Sequence, residues 1–179
     1  MTEAMENFIY DIPTKVYFGK GQLNQLADIV QVYGQRVLLV YGGGSIQRNG
    51  IYDAAVAQLK KAGKKYTELS GVEPNPSIHT VEKGVMLCQR EQIDMLVAIG
   101  GGSAIDCAKV ISAAACSTRR PWELVTHPEE IQRALPVIAI LTIAATGSEM
   151  DHIAVITNPQ TKEKIGTRHP LLRPKAAIL

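Results

Sequence analysis

Residues 95–109 read MLVAIGGGSAIDCAK. An apolar run stops at three glycines, Gly100, Gly101 and Gly102, and Ser103 and a patterned segment follow. A continuous apolar run of this length, ended by glycine, suits a strand buried on both faces. Glycines after such a strand bring the backbone close to something. N–H groups at a helix N-terminus are unpaired and carry partial positive charge, so they suit a phosphate. Glycine lets that phosphate approach with no Cβ in the way. The plainer reading is a tight turn with a capping box, Ser103 as N-cap and Asp106 reaching back. The two readings are compatible. Three glycines in a row favour the phosphate site, because a plain turn seldom needs them.

The same organisation recurs on either side of this stretch. KVYFGKGQ reads as a short strand ended by Gly19 and Gly21, and residues 22–33 carry apolar residues at helical spacing. RVLLVYGGGS is a second buried strand ending in glycines, and a helix follows over residues 51–62 with Gly63 as its stop. KKYTELSGV is a weaker, half-polar strand. Beyond the rigid EPNPS loop, Ser77 can cap a helix over residues 79–90. After the opening stretch, with its helix over residues 104–115, STRRPWELV and a linker lead to LPVIAILTIAATGSE, another apolar strand running into small polar residues. HIAVITN alternates as a strand does, TKEKIG reads as a hairpin turn, and KAAIL begins a last strand.

Alternating strands and helices, with continuous apolar strands, indicate an α/β fold with a parallel sheet covered on both faces. Ligands of such sheets sit at the carboxyl ends of the strands. Three strands here end in Gly, Ser or Thr clusters, at residues 42–45, 100–103 and 142–148. All three clusters are therefore expected along one edge of the sheet.

The chain has 179 residues, enough for one good-sized domain, and 46% of them are hydrophobic. The net charge of +2, with both signs interspersed, gives no electrostatic case for nucleic acid or an anionic membrane. No run approaches the ~18 apolar residues that cross a bilayer. The N-terminal residues show neither the basic start nor the apolar core of a secretory signal. Cys88, Cys107 and Cys116 form no CxxC pair, and reduced thiols in a cytoplasmic protein are expected. His79, His127, His152 and His169 are scattered, so no metal site closes within the chain, and no Ser/His/Asp or Cys/His signature is present.

The glycine pattern fits neither common phosphate-binding fingerprint. GxxxxGK[ST] needs a lysine that does not follow these glycines, and GxGxxG needs interrupted rather than contiguous glycines. A nucleotide site of another kind is expected. At Gly42, Gly43, Gly44 and Ser45 an acidic residue would have gripped the 2′-hydroxyl of an NAD ribose and repelled a 2′-phosphate. Neutral donors stand there instead, with Arg48 one turn on, which leans toward NADP(H) over NAD(H); a plain turn is the alternative. In LTIAATGSEMD the side chains of Thr142, Thr146, Ser148 and Asp151 can bond a carboxamide or ribose, or satisfy the loop's own backbone.

PTKVYFGKGQL, VLLVYGGGS, VEPNPS, AIGGGSAIDCAK and LTIAATGSEMD, in this order, resemble the iron-containing (group III) alcohol dehydrogenases. Within them the chain is similar to the butanol dehydrogenase branch, many of whose members use NADPH. The resemblance runs from about Phe8 to Leu179. It implies a Rossmann-like, parallel-sheet dinucleotide-binding domain over residues 1–179, and then an all-helical domain that holds a divalent metal, iron or zinc. By this resemblance Gly101, Gly102 and Ser103 would hold the pyrophosphate, with Asp106 close to the cofactor. Gly42, Gly43 and Ser45 would face the adenosine ribose and its 2′-phosphate. Thr142 and Asp151 would line the nicotinamide half, and Lys164 would reach the cofactor from the hairpin.

Two features depart from the family pattern. Ala144 stands where proline is frequent, and the sequence stops at Leu179, ahead of the helical domain and its one Asp and three His ligands. The expectation is the cofactor-binding part of a homodimeric enzyme that moves a hydride between NADP(H) and a small alcohol or aldehyde, inactive as this chain alone. The rival expectations are a non-catalytic nucleotide-binding module and a related enzyme of the glycerol dehydrogenase or dehydroquinate synthase type.

Overall fold

A computed structural model describes residues 12–179. The N-terminal readings on residues 1–11 lie outside the described residues. Six parallel strands form one sheet: β1 Lys15–Tyr17, β2 Arg36–Tyr41, β3 Lys65–Leu69, β4 Met95–Gly100, β5 Val137–Leu141 and β8 Ala176–Ile178, in the order β1-β8-β5-β4-β2-β3. The remaining strands, β6 Ile153–Asn158 and β7 Glu163–Arg168, pair antiparallel as a separate hairpin.

The period of two explains how the apolar runs fill two layers. Val37, Leu39, Met95, Val97, Ile99, Ile138 and Ile140 point to one face, where they meet α1 Leu26–Gln31 and α3 Ile51–Lys61. Leu38, Val40, Leu96, Ala98, Val137 and Ala139 point to the other, under α4 Ile78–Arg90, α5 Gly102–Ala114 and α6 Pro121–Thr126. Each fully buried Leu or Ile contributes about 1.5–3 kcal/mol relative to exposure. Both faces are therefore committed, and a one-residue slip of a strand would exchange the two layers.

Helix α5 is the hub of the second layer. Every residue from Ala104 to Ala114 is buried, and the helix lies against β4, α4, α6 and β6. Its approach to α4 requires Gly84, where a Cβ would lie 2.3 Å from Ile111 Cδ1. The β6–β7 hairpin rides on the outer side of α5.

Ser77 caps α4 as its position predicts, accepting from the His79 backbone N–H at 3.0 Å. Three local readings are corrected. Residues 22–33 divide into a 3-10 turn, Gln22–Gln25, and the short α1. The region read only as STRRPWELV and a linker contains α6, which starts on Pro121, with the Glu123 carboxylate accepting from the Arg120 backbone N–H at 3.1 Å. TKEKIG is mostly strand β7, so Lys164 stands in a strand, and the reversal falls just before it, at Lys162 with φ 58°.

Candidate functional site

Strands β2, β4 and β5 are neighbours and run parallel, with Tyr41 beside Ile99 and Gly100 beside Leu141. Their carboxyl ends bring the three Gly/Ser/Thr clusters to one edge, as the sequence pattern predicts. After β2 the chain turns through α2 Ser45–Arg48 to α3 on one face; after β4 it turns into α5 on the other. Adjacent strands whose connections leave on opposite faces open a crevice between them, where open α/β sheets bind their ligands.

The first turn of α5 forms the floor of that crevice. The cap residue is Gly101, in extended conformation (φ −85°, ψ −167°), and no side chain caps this helix. The capping-box reading is thus overturned. Ser103 lies inside the helix, and Asp106 turns away to accept the Val155 N–H at 3.0 Å. The first N–H groups of a 13-residue helix stay free of side-chain caps; together with the helix dipole they place about +0.5 of an elementary charge there. A Cβ at Gly101 would meet nothing within 4 Å. Gly100, at φ +155°, holds the strand's exit, where a Cβ would press on Ala104 Cβ at 2.9 Å.

Two cavities open on this turn. One, of about 260 Å³, is lined by Gly42, Gly43, Ser45, Gly101, Thr142 and Ile143. The other, of about 480 Å³, is lined by Asn75, Asp106, Thr146, Ser148, Asp151 and Lys164. Gly102 and Ser103 line both. All ten candidate residues from the sequence therefore line one or other of two cavities that share Gly102 and Ser103 at the α5 N-terminus.

On the first side, Gly44 packs beside Arg48, whose Nη1 would stand 3.2 Å from a Cβ at that glycine. A guanidinium thus accompanies the neutral turn. On the second side, Thr146 and Ser148 hydroxyls lie 3.0 Å apart over Gly102, where a Cβ would approach Ser148 Oγ at 3.2 Å. Lys164 Nζ donates to Asn75 Oδ1 at 2.6 Å, tying the hairpin to the EPNPS loop.

Below this cavity lies a charged cluster. The Lys109 side chain is 0% exposed, and its Nζ donates to Asp151 Oδ1 and to the Ile153 carbonyl, each at 2.7 Å. Burial pulls the Lys109 ammonium below its usual range, while the hydrogen bond it donates to Asp151 opposes that change. Burial also raises the Asp106 carboxyl, against the stabilising Val155 N–H and Lys109 charge. Asp106 Oδ1 is buried without a hydrogen-bond partner among the described residues.

Asn75 and Lys109 escaped sequence reasoning as site residues. Asn75 adopts a left-handed φ of 59°, a conformation Asn tolerates better than most residues, and its place between two prolines was the available signal. Lys109 carried no signal beyond its place in the DxAK motif, since a lysine at helical spacing usually reads as a solvated residue.

These surroundings fit a dinucleotide: a glycine-walled helix N-terminus in the middle and donor-lined cavities to either side. Among the described residues no group of three or more His, Cys, Asp and Glu side chains converges.

The family model described as iron-containing alcohol dehydrogenase matches residues 13–179. NADH-dependent butanol dehydrogenase A of Clostridium acetobutylicum is 54% identical over 175 residues, covering 98% of this chain and 45% of the relative. NADPH-dependent aldehyde reductase YqhD of Escherichia coli is 37% identical over 178 residues, with the same two coverages. The crystal structure of NADH-dependent butanol dehydrogenase A from Thermotoga maritima superposes with a TM-score of 0.92 at 41% identity. It is matched over 97% of this chain and 44% of its own length. The chain thus spans somewhat under half the length of the relatives it matches. It belongs to the iron-containing alcohol dehydrogenase family.

Proposed function

We propose that residues 1–179 form the dinucleotide-binding domain of an alcohol dehydrogenase and hold NADP(H) along the crevice. The observation that carries this reading is the α5 N-terminus, without a side-chain cap and open above Gly101, with a cavity on either side. In this reading the N–H groups of the α5 first turn and the Ser103 hydroxyl hold the pyrophosphate. Gly42, Gly43 and Ser45 receive the adenosine ribose, and Arg48 offsets the charge of a 2′-phosphate. Thr146, Ser148 and Asp151 orient the nicotinamide half, and Lys164 adds a positive charge at its rim, whereas Thr142, expected there from the resemblance, lines the smaller cavity with Gly42 and Gly43. Bound nicotinamide would supply the site that takes up or delivers the hydride. The chain's own residues bind and orient it; they do not polarise a substrate oxygen.

For the whole enzyme we propose hydride transfer between NADP(H) and a primary alcohol or aldehyde such as butanol or butyraldehyde, with iron or zinc bound outside these residues, by a cytoplasmic homodimer. The names of the relatives support the reaction class. They also favour a second reading of the cofactor. The 54% identical relative is named NADH-dependent and the 37% identical one NADPH-dependent. The turn itself, with no carboxylate at residues 42–45 and Arg48 beside Gly44, favours NADPH. Calorimetric titration of the chain with each nucleotide separates the two readings. Tighter NADPH binding supports the preference; equal or tighter NADH binding overturns it and leaves the dinucleotide site in place.

A further inference from the structure

A fully buried lysine needs a reason to be there. Lys109 sits on the third turn of α5, whose other buried residues are Ala, Ile, Val and Cys apart from Asp106 and Ser112. Burying an ammonium is costly unless it is paired and hydrogen-bonded. A methionine of similar volume would fill the same space without that cost. The lysine satisfies two acceptors, both at the start of the hairpin: the Asp151 carboxylate and the Ile153 carbonyl.

The geometry at Asp151 is asymmetric. Its Oδ1 accepts from Lys109 Nζ at 2.7 Å and from the Ile153 backbone N–H at 2.8 Å. Its Oδ2 takes no hydrogen bond from the described residues, and the side chain, 32% exposed, lines the larger cavity. Two donors on one oxygen fix the rotamer. The other oxygen is left without a donor from the described residues, on a side chain that lines the cavity and is paired with a cation that water does not reach. Asp106 and Glu149 also stand near Lys109, so this cation offsets three carboxylates, two of which, Asp106 and Asp151, line the cavity.

We propose that Lys109 is a positioning residue, which locks Asp151 so that its free Oδ2 accepts an amide N–H from the carboxamide of the nicotinamide and so selects that group. The proposal rests on the dinucleotide reading above and goes further, to the group that one residue reads and to the residue that aims it. The alternative is a staple that joins α5 to the hairpin and contributes to stability alone.

The test compares NADP⁺ with its 3-acetylpyridine analogue, which keeps the carbonyl and lacks the amide N–H groups. Calorimetry on the chain of residues 1–179 is expected to show NADP⁺ binding about tenfold tighter than the analogue, a difference of about 1.4 kcal/mol. Lys109→Met is expected to bring that ratio to within about twofold of unity, because the carboxylate is released from its rotamer. Asp151→Asn keeps an oxygen for Lys109 and the Ile153 N–H but turns the free atom into a donor, and is expected to remove the preference as well. A Lys109→Met variant that folds, binds NADP⁺ and keeps the wild-type ratio overturns the positioning role. Should Lys109→Met fail to fold, an unchanged ratio in Asp151→Asn overturns it. Equal binding of both nucleotides by the wild-type chain overturns it with no variant at all. Failure of the wild-type chain to bind NADP⁺ would instead count against the dinucleotide reading itself.

Discussion

Lys164 on β7 and Asn75 in the EPNPS loop are 89 residues apart in sequence and joined by a 2.6 Å hydrogen bond across the rim of the larger cavity. The bond holds an ammonium over the place assigned to the nicotinamide half. It is solvent-exposed, so its contribution to stability is small. Lys164→Met is expected to leave thermal unfolding unchanged and to weaken NADPH binding about two- to fivefold, in line with the ~1 kcal/mol or less of an exposed charge. Fluorescence titration checks it; unchanged affinity in a folded variant would remove Lys164 from the site.

The glycines divide into two kinds, and substitution separates them. Gly101→Val places its branched side chain in open space, where the pyrophosphate is assigned, at a backbone conformation that valine adopts without strain. The expected outcome is a folded chain, by circular dichroism, with no measurable NADPH binding. Gly84→Val drives a Cβ into Ile111 and is expected to destabilise the fold by about 1–3 kcal/mol in urea denaturation. Normal binding by Gly101→Val would make the turn purely structural.

Gly43 also faces open space, so an added side chain is tolerated by the fold. Gly43→Asp puts a carboxylate where the 2′-phosphate is assigned. It is expected to weaken NADPH by about tenfold and to leave NADH nearly unaffected, the like-charge repulsion of about 1 kcal/mol or more at contact distance acting on one nucleotide only. Equal losses for the two nucleotides would place the 2′ position elsewhere.

Asp106 predicts a pH dependence. Its folded-state pKa is raised above the ordinary carboxyl value of 3.8, chiefly by burial, so the native chain binds more protons than the unfolded chain in the window that opens there. Stability from this residue is fully present below that value and is lost as pH rises through the raised folded pKa. Asp106→Asn is expected to flatten this part of the stability profile, measured by urea unfolding across acidic pH. An unchanged slope would show that the carboxyl titrates normally.

The three crevice-forming turns were legible because glycine clusters after apolar runs are local signals. The parallel sheet was legible because Val, Leu and Ile fill both faces of β2, β4 and β5. What sequence reasoning missed depended on distant partners. Ser103 and Asp106 carry the spacing of a capping box, yet the hairpin's Val155 N–H captures Asp106, which no local rule anticipates. Lys109 looks solvated in sequence and is fully buried, because two acceptors from the start of the hairpin meet it. In α6, six residues with a proline start and a polar cap gave too short a period to read as a helix.

The proposed dinucleotide site runs across the ends of β2, β4 and β5, with the pyrophosphate on the α5 N-terminus. Amide NMR of the isotope-labelled chain titrated with NADPH tests it residue by residue. Saturable shifts are expected to be largest at Gly43, Gly101, Gly102 and Ser103, with smaller ones at Thr146 and Asp151. Saturable shifts confined to another surface, such as the cavity around Cys116 and Arg119, or no shifts from a folded chain at millimolar NADPH, would contradict it.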